Sequence, residues 1–209
     1  MNRGFSVTCL LAFVSAPFMA AVQAEINFTP TVNRYMSEGA EYANASFKDG
    51  SKTVSMAVPR TWICRGDASR LQFAPPNEAL AEGVVQAVPG KGVMRFDEAT
   101  VKALADQILS TVPAGSQNVT LVSQQENTVI INGNLSHEFV VSYQVLGKSF
   151  LRSVIVVACV DQQLFFRFTA PKSVFDNLNR SFRQSIYSWQ WTDPEPAKST
   201  AIAQNAVQR

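Results

Sequence analysis

Residues 135–169, LSHEFVVSYQVLGKSFLRSVIVVACVDQQLFFRFT, decide the fold of this chain. Phe139, Val141, Tyr143 and Val145 alternate with Glu138, Ser142 and Gln144, the period of a strand. Gly147 and Lys148 break that run, and residues 150–160 are almost continuously apolar or β-branched. Asp161, Gln162 and Gln163 break the chain again before a third run from Leu164 to Thr169. Three apolar runs joined by short turns predict an antiparallel meander, which is a sheet core and not a catalytic motif.

On the C-terminal side, Phe175, Leu178, Phe182, Ile186 and Trp189 recur at helical spacing. Pro171 precedes them, and Ser173 and Asp176 stand three positions apart like a capping pair. On the N-terminal side, Asn132-Gly133 predicts a hairpin turn, and residues 119–131 read as a long or bent strand pair. Residues 96–112 form the best helix, with Val101, Leu104, Ala105, Ile108, Leu109 and Val112 on one face. Asp97 is its natural N-cap, and Phe96 is placed to staple onto Val101. Further upstream, Val54, Met56 and Val58 alternate up to Pro59, and residues 70–73 and 83–88 are short strands around a loop at 77–82.

Composition bounds the class. The 209 residues are 46% hydrophobic, enough for one full core. Residues 1–24 read as a secretory signal peptide: Arg3 starts it, an apolar stretch interrupted by Pro17 follows, and Val22-Gln23-Ala24 supplies small-residue cleavage positions. Removing Arg3 from 18 Lys and Arg leaves 17 against 16 Asp and Glu, a balance with no electrostatic footprint for nucleic acid. The expectation is an exported chain, periplasmic, with the external medium or the thylakoid lumen as alternatives. Its segments are 1–24 signal peptide, 25–51 irregular, 52–191 a single α/β domain with no transmembrane span, and 192–209 a flexible tail, where Pro194, Pro196 and Lys198 dilute the apolar content.

Few residues suit chemistry. His137 is the only histidine and stands where a strand begins, the usual setting of a surface histidine. Any nucleophilic scheme must use it as base, with Cys64 or Cys159 as nucleophile, and no G-x-S-x-G is present. The two cysteines of the mature chain either pair, as an oxidising compartment permits, or are two buried thiols acting as small hydrophobes. One histidine and two separated cysteines lack a close ligand pair for zinc. Residues 89–92, Pro-Gly-Lys-Gly, lack the Ser or Thr that must follow the lysine of a phosphate loop. No metal or cofactor is therefore expected. Trp189, Trp191 and Tyr187 are either an aromatic platform or a core residue with its rim, and the second reading is preferred.

The element order carries a resemblance. Ser55-Met56-Ala57-Val58-Pro59-Arg60-Thr61-Trp62, then Leu71-Gln72-Phe73, a helix, Asn132-Gly133, three strands and an aromatic-ended helix resemble the superfamily of the photosystem PsbP subunit, the Ran-release-factor fold and DcrB-type envelope proteins. The resemblance spans residues 52–191 and implies an α+β fold, an α/β/α sandwich on a central antiparallel sheet with two main helices. It implies assembly, docking or chaperone-like modules, not enzymes, with another envelope protein or a small ligand as partner. A leader without a lipid-attachment cysteine departs from the DcrB type. Binding is expected to fall to polar loops at 65–70, 89–95 and 124–127, with Lys91 and Arg95 as candidate contact residues.

Overall fold

The computed structural model describes residues 26–90 and 92–194. The meander is present as β8 (Ser136–Val145), β9 (Lys148–Ala158) and β10 (Gln162–Pro171). It lies in a seven-stranded antiparallel sheet with β4 (Ile63–Gly66), β5 (Arg70–Ala74), β6 (Glu82–Pro89) and β7 (Gln117–Glu126), in the order β4-β5-β6-β10-β9-β8-β7. The β8–β9 turn is two residues, Leu146 and Gly147, both at positive φ, the left-handed geometry that matches strand twist in a tight hairpin.

Both faces of the centre of this sheet are covered, which is why β9 does not alternate in sequence. On one face α1 (Glu98–Ser110) lays Leu104, Ala105 and Ile108 onto Phe139, Val141, Val154 and Val156. Asp97 caps it, its carboxylate accepting the Thr100 amide at 2.8 Å. On the other face lie α2 (Phe175–Tyr187) and a four-stranded sheet of β1 (Ile26–Ser37), β2 (Ala40–Asp49), β3 (Lys52–Val58) and β11 (Gln190–Thr192). Ile155, Val157, Phe166 and Phe168 meet Phe28, Phe47, Met56, Phe182 and Trp189 there. The fold is thus the expected α+β sandwich of α1, sheet and α2, with a second sheet added on the α2 side.

Four local expectations are corrected. The described part of the segment expected to be irregular, residues 26–51, is not so: β1 and β2 form a long hairpin. Only its base is buried, through Ile26, Phe28, Ala45 and Phe47, and its outer half has no covered face to impose alternation. β4 is an additional strand, four residues whose Ile63 points to solvent. Residues 119–131 are not a strand pair: β7 ends at Glu126, and the following coil drops Val129 and Ile131 into the core. Ser173 does not cap α2, whose N-cap is Val174 with no side-chain bond.

The cysteine pair does not form, and Cys64 and Cys159 are free thiols. The sheet register runs Cys64, Phe73, Gly83, Phe168, Ser153 across four ladders, and Cys159 lies six residues past Ser153. At about 4.8 Å per ladder and 3.3 Å per residue the two are on the order of 20 Å apart or more, whereas a disulfide needs Cα atoms within about 7 Å. The signal peptide and most of the tail lie outside the described residues.

Candidate binding surfaces

His137 is not at the surface. It is 4% exposed, with its ring between Phe96 at 5.6 Å and Phe139 at 4.8 Å. Neither ring nitrogen has a hydrogen-bond partner among the described residues. Burial pushes its pKa below the ordinary histidine value, and the Glu126 carboxylate pulls weakly the other way. The side chain faces α1, whereas Cys159 belongs to the core on the opposite face, so the sheet itself separates them. Burial also pushes the Cys64 thiol up to about 12 and the Cys159 thiol up to about 11, the reverse of nucleophile activation. The arrangement of His137 with either cysteine is therefore not assembled.

Of the three loops expected to bind, the fold brings two together. Val93, Arg95 and Phe96 meet Glu126, Asn127 and Leu135 around a cavity of about 250 Å³, with Val93 and Leu135 exposed at its rim. Lys91 lies outside the described residues. The loop at 65–70 sits at the other end of the sheet, in the β4–β5 hairpin. There Asp67 accepts the Ser69 amide and hydroxyl and the Arg70 amide, and these bonds, the Ser69 hydroxyl first, hold its carboxyl below the usual range.

A more polar cleft of about 470 Å³ lies where β2 and β11 approach the β9–β10 turn. Its Asp49 carboxylate already accepts the Trp191 indole at 2.8 Å and the Gln162 amide at 3.2 Å. Trp189 is buried against Phe47 and Phe166, and Trp191 packs edge-on to it at 5.4 Å, which is the core-and-rim reading of these aromatics. Among the described residues no group of three or more His, Cys, Asp or Glu side chains is placed to hold a metal ion.

One surface feature was not expected from the sequence. β3 pairs with β2 only over residues 43–49, so residues 35–42 continue as a two-stranded ribbon with no third strand. Its tip turns at Glu38 and Gly39, both at positive φ. Tyr35 and Tyr42 are cross-strand partners, stacked at 5.7 Å and 48% and 46% exposed, and Met36 beside them is 67% exposed. By strand alternation the tyrosines share a face with Asn33, Ser37, Ala40 and Asn44, all uncharged, while Arg34 and Glu41 pair at 3.2 Å. The two tyrosines at matching positions across a turn were the available signal.

No protein-family model matches the sequence, and no curated protein matches it. Solved structures do. The solution structure of cyanobacterial PsbP from Synechocystis is 14% identical, with 86% of this chain and 99% of that one covered and a TM-score of 0.49. LpqN of Mycobacterium tuberculosis, described as involved in cell envelope biogenesis, is 15% identical, with 78% and 91% covered and a TM-score of 0.45. A protein of unknown function from Pseudomonas aeruginosa is 13% identical, with 79% and 98% covered and a TM-score of 0.39. The sandwich class rests on the architecture described above, and PsbP, whose element order this sequence resembles, is among the similar structures. No helix among the described residues is long and apolar enough to cross a membrane.

Proposed function

We propose that this chain is a non-catalytic binding module of the cell envelope that docks onto another protein through the β1–β2 ribbon. The observation that carries this reading is the Tyr35–Tyr42 pair: residues 35–42 extend past the third strand, bury no hydrophobic side chain, and present stacked tyrosines on one face and Met36 on the other to solvent. Tyr and Met are enriched in protein interfaces. A two-stranded ribbon is marginal by itself, so its retention fits a role outside the fold. The uncharged face suits a neutral partner surface with apolar and amide groups. The cavity rim at Val93 and Leu135 is a secondary contact region on this reading.

The test is capture of partners from the native envelope by wild-type protein and by Tyr35→Ser/Tyr42→Ser. The double variant is expected to melt within about 1 kcal/mol of wild type, because the pair is exposed, and to lose the partner. Undiminished capture by the folded double variant would overturn the ribbon as the docking element.

A further inference from the structure

The α1 face of the seven-stranded sheet carries an arginine that the fold does not use. Arg167 on β10 is half-buried, makes no hydrogen bond or ion pair among the described residues, and lines a cavity of about 210 Å³ between the sheet and the C-terminal end of α1. We propose that this cavity binds a small organic anion, a carboxylate on a short apolar or aromatic body, with Arg167 holding the carboxylate.

The walls fit such an amphiphile. Val88, Ile108, Val154 and Phe165 supply the apolar lining, and Gln86 and Gln107 supply amides. The space holds about seven water-sized groups, which suits a body of benzoate size and excludes a drug-sized ligand. An arginine fork matches a carboxylate with two parallel bonds, and it is the cation that tolerates partial burial best.

The surrounding charges favour an anion. Arg152, on the neighbouring strand, gives its donors to neutral oxygens: the Thr111 carbonyl at 2.8 Å and hydroxyl at 3.3 Å, the Thr169 hydroxyl at 3.0 Å and the Tyr143 hydroxyl at 3.4 Å. It thereby covers the negative end of α1, so that end does not repel a ligand. Arg70 pairs with Asp67 at 3.9 Å, and Glu82, whose carboxylate acts electrostatically on Arg167, accepts the Gln72 amide at 3.0 Å. Burial first, then Arg152, push the Arg167 pKa down from its ordinary value, and the Glu82 carboxylate pulls the other way.

This site goes beyond the docking proposal and fails independently of it, since the ribbon belongs to the sheet on the opposite side of the molecule. Calorimetric titration of the full chain with benzoate, with neutral benzamide and with inorganic phosphate tests it. Saturable benzoate binding is expected, with no benzamide or phosphate binding. Arg167→Gln is expected to weaken benzoate about tenfold or more without lowering the melting temperature, because Arg167 makes no internal bond. Gln107→Trp, at the exposed mouth, is expected to block binding while leaving the charges intact. Absence of saturable benzoate binding at millimolar concentration, equal affinity in Arg167→Gln, or phosphate binding as tight as benzoate would each overturn the assignment.

Discussion

Arg183 of α2 closes onto Glu138 of β8 at 2.5 Å, so the second helix is locked to the meander by a guanidinium and a buried carboxylate. The other Glu138 oxygen accepts the Ser153 hydroxyl at 2.6 Å, and Arg183 also donates to the Thr128 carbonyl at 3.2 Å. The Glu138 side chain is 8% exposed, which makes loss of its partner severe. Arg183→Met is expected to cost about 3–5 kcal/mol by leaving Glu138 buried and unpaired. Glu138→Leu/Arg183→Met is expected to lie much closer to wild type. Urea denaturation of the two variants checks this; equal losses in both would show that packing, not charge, dominates.

His137 sets a pH dependence that can be isolated, because the chain has a single histidine. Its folded pKa is depressed, so the unfolded chain binds the proton more readily. Stability is therefore fully present above the unfolded value of about 6.5 and is lost as pH falls below it towards the folded value. His137→Phe keeps a ring between Phe96 and Phe139 and removes two buried nitrogens without partners. It is expected to raise stability by about 1–2 kcal/mol and to abolish the loss just below pH 6.5, whereas His137→Ala destabilises. Melting curves from pH 7.5 to 5 measure both; an unchanged pH profile in the phenylalanine variant counts against the assignment.

Gly83 marks a close approach of sheet and helix. A Cβ built there would stand 2.6 Å from the Phe182 ring, and Phe182 is itself 5.6 Å from Phe73 and buried. Gly83→Ala is expected to destabilise by about 1–3 kcal/mol through overpacking. Gly83→Ala/Phe182→Leu should recover part of it relative to the sum of the single variants, a coupling read from a double-mutant cycle.

On α1 the two faces differ sharply. Leu104 is buried, whereas Lys102 is exposed and pairs with Asp106 at 2.9 Å. Leu104→Asp is expected to cost several kcal/mol, enough to unfold a domain of about 5–15 kcal/mol total stability. Lys102→Asp should cost less than about 1 kcal/mol. Circular dichroism at room temperature distinguishes them.

The meander, α1 and the alternating strands were legible because each has a face whose periodicity records its burial. The β1–β2 hairpin was not, since Asn33, Tyr35 and Tyr42 have no core to face. His137 was misread for the opposite reason. β8 is covered on both sides, so a polar residue at its start is buried, and the local sequence does not show α2 returning Arg183 to Glu138 forty-five positions later. The Arg152–Arg167 neighbourhood was equally invisible: it exists only through the pairing of β9 with β10, which sets Arg152 opposite Thr169 and Arg167 opposite Val154.

β11 pairs with β3 through Gln190, Trp191 and Thr192, so a strand near residue 55 waits for one near residue 191. A chain emerging from the ribosome must therefore expose the β3 edge, and the aromatic site that Trp189 fills, until residues 189–192 have been made, more than 130 residues after β3.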